Sequence, residues 1–89
     1  MPRFSAIVRG VLDDGTIALN LGTILTPVRL SGVTLWPGAI PAIQKALPTG
    51  AHVYVQILEK GYPARGVVWV KNKSLGDMLV SQKLAAPKQ

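Results

Sequence analysis

The sequence predicts a mainly β (α+β) domain. The expected architecture is a five-stranded barrel with one short helix between the third and fourth strands and a second helix near the C-terminus. Three observations carry this. Five short segments alternate apolar and polar residues with the period of two that turns one face of a strand inward. Two other segments switch to a helical period. Turn-forming residues, among them nine glycines and seven prolines, punctuate the 89-residue chain. A chain of that length holds one domain, residues 1–89, and not two.

The first strand is expected over residues 3–12, RFSAIVRGVL, with Phe4, Ala6, Val8 and Leu12 on one face and Arg3, Ser5 and Arg9 on the other. Asp13-Asp14-Gly15 is a turn signal, so residues 3–21 read as a hairpin whose second strand is Thr16–Leu21. Gly22 and Thr23 make the next turn. Leu25–Leu30 is the third strand, with Val28 and Leu30 inward and Arg29 outward. Pro27 cannot donate to a ladder, which places that end of the strand at an edge or bulge. In residues 38–47, GAIPAIQKAL, Ile40, Ile43 and Leu47 share one helical face, and Pro41 is tolerated in the first turn. Pro48-Thr49-Gly50 ends that helix. AHVYVQIL then alternates cleanly, with Ala51, Val53, Val55 and Ile57 against His52, Tyr54 and Gln56. Residues 59–65 read as a loop and 66–71 as the fifth strand. Residues 74–84 form the second helix, with Ser74 as N-cap, Asp77 three residues on, and an apolar stripe of Leu75, Met78, Leu79 and Leu84. Gly76 weakens its first turn by about 1 kcal/mol relative to alanine. The tail AAPKQ is expected to fray. Three strands, a helix, two strands and a helix follow the order of an OB-fold barrel.

Composition narrows the functional classes. An apolar fraction of 48% with 16% charged residues is that of a globular chain rather than a disordered one. No apolar run approaches the roughly 18 residues of a membrane span. Arg9 breaks the one N-terminal apolar stretch, and no small-residue cleavage site follows, so no signal peptide is expected. The absence of cysteine excludes disulfides and cysteine metal sites. That leaves the redox compartment undecided, and a cytoplasmic location is the default expectation, with no membrane partner and no cofactor. Ten Lys and Arg against four Asp and Glu give a net charge of +6. That surplus favours a polyanionic partner, nucleic acid first.

Three stretches, in order and spacing, resemble the staphylococcal-nuclease-like (thermonuclease) family. AIVRGVLDDGTIAL looks like the family's opening hairpin with its D-G-D-T-type turn. VRLSGVTLWPG is similar to its V-R-L-x-G-I-D-x-P-E segment. YPARGVVWVKNKSLGDMLVSQKLA is similar to its Y-G-R-x-L-A-x-V-x-V-x-G-x-x-[LV]-N-x-x-L-V-x-x-G-L-A block. The resemblance spans nearly the whole chain and implies an OB-type barrel. The family's activity is calcium-dependent cleavage of DNA or RNA, with carboxylate metal ligands, a glutamate base and two arginines on the phosphate. Carried over, the third-strand arginine is Arg29, and Arg65 is a candidate for the second. The metal-binding aspartate of the hairpin turn falls on Gly15, just after Asp13 and Asp14. The aspartate after the third strand falls on Thr34, and the glutamate falls near Gly38. No acidic residue lies between Asp14 and Glu59 to replace them. Losing a general base costs about 10²–10⁴ in rate, and losing the metal removes further charge stabilisation. The chain also ends soon after its second helix, without the further helix that completes many members.

The resemblance thus implies a catalytically degenerate member: no catalytic residues, no metal, and a nucleic-acid-binding OB module. The expected binding residues are Arg29, Arg65, Lys71 and Lys73 on phosphates, with Tyr54 or Trp69 stacking on bases. Each has a plainer reading. Arg29 is also an ordinary outward strand arginine, Asp13 and Asp14 are also turn formers, and Trp69 also serves to close the barrel or pack under the last helix. His52, a lone histidine without a second ligand, is not expected to hold metal. Trp36 and Pro37 are candidates for contact with a protein partner, which makes a scaffold or self-associating module the alternative. A residual calcium-dependent nuclease using Asp13 or Asp14 is the third possibility.

Overall fold

The hairpin at the start of the chain is built as its alternation dictates. β1 (Phe4–Val11) pairs antiparallel with β2 (Ile17–Leu21), and β2 with β3 (Ile24–Leu30). In the computed structural model, which describes residues 3–87, these strands are followed by β4 (Val33–Leu35), α1 (Ala39–Ala46), β5 (His52–Glu59) and β6 (Ala64–Val70). β7 (Lys73–Ser74), α2 (Leu75–Ser81) and β8 (Ala85–Pro87) complete the order.

The main sheet runs β3-β2-β1-β5-β6-β7, and β3 also pairs with β6. That last pairing, parallel over Val28↔Ala64, Arg29↔Arg65 and Leu30↔Gly66, closes five strands into an OB-type barrel. A closed sheet has no edge over the paired residues. β3 pairs with β6 only over residues 28–30, so Pro27 sits just before the seam, where its missing N–H leaves no ladder bond unmade on that side.

The barrel interior is filled by the inward rows of every strand: Val8, Ile17, Leu19, Val28, Val53, Val55 and Val68 are all but sealed from solvent. Ile43 and Leu47 of the α1 segment and Leu75 and Leu79 of α2 cover the open ends of this core. Ile40, placed on the same helical face, is only half-buried. The inward faces expected for β3 and β5 are observed. The face expected for β1 is observed only in part. A register shift between Val8 and Gly10 turns Val11, not Leu12, toward the core, while Phe4 at the strand's open end is 48% exposed and Leu12 is 53% exposed.

Three further boundaries differ from expectation. Glu59 ends β5, and Ala64 and Arg65 already belong to β6, so the loop is residues 60–63. α2 ends at Ser81 rather than Leu84. There Lys83 adopts φ 61°, Leu84 N–H donates to the Leu79 carbonyl at 2.8 Å, and Lys83 N–H donates to the Val80 carbonyl at 3.1 Å. This is a Schellman ending with lysine in the left-handed position that glycine usually takes. It throws the chain back, so that Ala85–Pro87 pairs with β4 instead of fraying. Lys88 and Gln89, the rest of the expected tail, lie outside the described residues. Ser74 caps α2 as expected, its Oγ accepting from Asp77 N–H at 3.4 Å. Gly76 is buried at the first turn, where an added Cβ would stand 3.4 Å from Val33 Cγ1, so its lost propensity accompanies close packing on β4.

Gly66 is the tightest position in the seam. A Cβ there would overlap the backbone carbonyl oxygen of Gln56, where β5 bulges between Ile57 and Glu59. Gly66→Ala must therefore move backbone rather than a side-chain tip. Its expected cost is at least about 2 kcal/mol, read in thermal unfolding as a Tm lowered by about 8 °C or more.

Candidate functional site

The closing seam decides which side chains meet. In the parallel β3–β6 pair, Arg29 and Arg65 are direct partners on the outer face, both exposed. Sequence reading left Arg65 in a loop; the structure sets it in the strand directly beside Arg29. The two arginines line a cleft of about 510 Å³ whose other walls include Asp14, Leu35, Trp36, Pro37 and Ile40. Trp36 and Pro37, expected as a separate protein-contact element, therefore belong to the same cleft as the arginines. The Trp36 main-chain N–H donates to the Leu84 carbonyl at 2.9 Å, and the residue remains 46% exposed. Glu59 is the cross-strand neighbour of Arg65 on the β5 side and is not part of the cleft wall.

The β1–β2 turn forms the rim. Leu12 N–H donates to the Thr16 carbonyl at 2.8 Å, and Asp14 Oδ1 accepts from Thr16 N–H at 2.9 Å. Asp14 is thus a turn former, as its plainer reading has it. The bonds from the Thr16 backbone and side chain hold its carboxyl below the ordinary 3.8, with Arg29 adding attraction. Arg29 Nη2 in turn donates to the Asp14 main-chain carbonyl at 3.3 Å, which ties the arginine to the turn.

The residues present do not fit the calcium ion that the nuclease resemblance implies. Gly15, in the position of a metal-binding aspartate, has φ 91°, and a Cβ on it would stand 2.7 Å from Leu35 Cδ1. Glycine offers no ligand there, and the Leu35 methyl stands where a side chain would begin. Thr34 is a neutral wall residue, and Gly38 is the left-handed N-cap of α1 at φ 95° with no side chain to offer. Among the described residues no group of three His, Cys, Asp or Glu is placed to hold a metal.

The aromatic residues form a second region. Tyr54 and Trp69 are cross-strand partners on the outer face of β5 and β6, in one row with Ser5 and Ser74. Tyr54 is 48% exposed, and its ring centroid lies 5.6 Å from that of His52. His52 shares a hydrogen bond with the Ser5 hydroxyl. Trp69 is half-buried. The Arg3 guanidinium lies 3.7 Å from its ring centroid, and the indole also lines a groove beside α2. Lys71 and Lys73 flank the tight turn from β6 to β7, with Lys71 at φ 49° and Asn72 at φ 69°. Lys73 lines the Trp69 groove, whereas Lys71 lines neither hollow. Arg3 is the residue that sequence reading did not single out. Its signal was its parity with Ser5, opposite Tyr54, but the reach from β1 over β5 to Trp69 depends on sheet order.

No family model matches the chain, and no curated protein matches it. Among the described residues no helix is long and apolar enough to cross a membrane.

Because native contacts lower the Asp14 pKa, the ionised carboxylate stabilises the fold above about pH 4, and this contribution is lost as pH falls through the lowered native value. A carboxyl-carbon NMR titration is expected to give Asp14 a midpoint below 3.8. That midpoint should rise in Thr16→Val, which removes the hydroxyl and keeps the backbone donor.

Proposed function

We propose that the protein is a non-catalytic nucleic-acid-binding module, an OB-type barrel of nuclease-like ancestry whose phosphate side is kept and whose metal side is closed. The observation that carries this reading is the side-by-side placement of Arg29 and Arg65 at a cleft whose neighbouring wall is Leu35 packed against Gly15. Paired guanidiniums suit phosphate oxygens through forked hydrogen bonds. A leucine where a carboxylate would stand leaves no seat for the cation that would polarise the phosphate. The net charge of +6 supports the same partner. Lys71, Lys73, Tyr54 and Trp69 belong to this reading as the flanking phosphate and base contacts. A cytoplasmic setting, where nucleic acid is accessible, goes with it.

Fluorescence-anisotropy titrations of single- and double-stranded oligonucleotides across a salt series test it. Binding is expected to weaken steeply with salt and to be indifferent to calcium or a chelator. Arg29→Ala and Arg65→Ala should each weaken binding several-fold and make the salt dependence shallower by about one counterion. Absence of binding at low salt, or strand cleavage on adding calcium, would overturn the proposal.

A second reading, a protein-interaction or self-associating module, is favoured by one observation. Ile24 and Leu25 are 68% and 51% exposed on the part of β3 that β6 leaves unpaired. Light scattering across a concentration series checks the self-associating form: mass should rise with concentration, and a constant monomer mass excludes it.

A further inference from the structure

The groove between α2 and the β6–β7 turn has no part in the paired-arginine site, and its chemistry is different. Its floor is the Trp69 indole with Met78 beside it; Asn72, Lys73, Asp77 and Gln82 stand among its walls, and its volume is about 560 Å³. That is within the size range of small-ligand pockets. Arg3 is not among the residues that line the groove, while its guanidinium lies over the Trp69 ring. A guanidinium against the ring fixes it in place from the β1 side. The tight turn at Lys71 and Asn72 fixes the opposite bank. The floor is therefore planar, aromatic and held still. The walls supply amide donors and acceptors from Asn72 and Gln82, a carboxylate from Asp77 and one positive charge from Lys73.

We infer that this groove takes one unpaired nucleobase of a single strand. A base stacks on the indole, its edge meets the amides of Asn72 and Gln82 and the carboxylate of Asp77, and Lys73 meets an adjoining phosphate. A base paired in a duplex keeps its faces in the stack and its Watson–Crick edge engaged, so the groove selects single strands. The same chain geometry sets its relation to the arginines. Arg65 and Trp69 lie on one face of β6, four residues apart, which is about 13 Å along the strand. A single strand lying along β6 can thus meet the paired arginines with one phosphate and the groove with a base further on. This inference rests on the nucleic-acid reading above, chooses Trp69 and its groove over Tyr54 as the base-binding element, and adds the edge contacts and the strand form.

The test compares twelve-residue oligothymidylate, an abasic strand with the same phosphates, and a blunt twelve-base-pair duplex, each titrated at low salt. Oligothymidylate is expected to bind about five- to hundredfold more tightly than the abasic strand, the range that stacking one base supplies. Trp69→Leu should bring oligothymidylate down to the abasic level and leave abasic affinity unchanged. Trp69→Phe should keep part of the difference, since it keeps a smaller aromatic face and the indole N–H it loses is buried without a partner. Asn72→Gly, which accepts the φ of 69° at that position, combined with Gln82→Ala should narrow the difference several-fold while keeping the turn, and decides the matter if Trp69→Leu unfolds. Arg29→Ala should weaken both strands equally.

Equal binding of the two single strands, or a duplex bound as tightly as oligothymidylate, overturns the groove assignment while the arginine reading stands. So does a base-dependent part that survives Trp69→Leu and disappears in Tyr54→Ala or Trp36→Ala. Failure of every oligonucleotide to bind overturns the nucleic-acid reading itself and this inference with it.

Discussion

Everything in this molecule depends on three residue pairs between β3 and β6. Val28↔Ala64, Arg29↔Arg65 and Leu30↔Gly66 convert a twisted sheet into a closed barrel, and they do so in parallel between segments 36 residues apart in sequence (64 − 28 = 36). Closure removes two sheet edges over those residues and encloses the rows of valine, isoleucine and leucine that form the core. A glycine at 66 lets the Gln56 carbonyl of β5 approach closely beside the bulge between Ile57 and Glu59, and Ser31 N–H donates to the Gly66 carbonyl at 2.9 Å to continue the seam.

The same three pairs create the candidate site. The inward members, Val28, Leu30 and Ala64, are buried, and the outward members are arginines. Two like charges directly across a parallel ladder oppose each other. That arrangement costs less when an anion lies between the charges, which fits the proposed phosphate partner. One of the two is partly satisfied within the fold, since Arg29 reaches back to the Asp14 carbonyl. The turn that accepts it is held by its own Asp14–Thr16 bond, so a short sequence element positions one side of the cleft. The opposite wall is largely apolar, with Leu35, Trp36, Pro37 and Ile40 lining it.

How much of this the sequence disclosed follows from the range of each interaction. Alternation over a few residues fixed the inner faces of β3 and β5, and the Ser74 cap and the Asp13-Asp14-Gly15 turn were readable because their partners lie within three or four residues. Leu12 falls on the wrong face because a bulge at Val8–Gly10 resets parity, and Gly10 is the one residue type there that marks it. Arg65 was assigned to a loop because Gly61, Tyr62 and Pro63 look like a turn that continues, and only the seam shows that β6 has already begun. The meeting of Trp36 with the arginines, and of Arg3 with Trp69, depends on strand order across the whole barrel. Lys83 hid the end of α2, since a glycine would have marked it. The short β4–β8 pair depends on that ending and was equally hidden.

The contact between Gly15 and Leu35 makes two positions behave as one character. A side chain at 15 must displace the Leu35 Cδ1 methyl, and it must adopt a left-handed backbone that favours glycine. The two positions are thus coupled: the effect of a substitution at 15 depends on how far the Leu35 side chain can swing aside, so changes at 15 and 35 do not add.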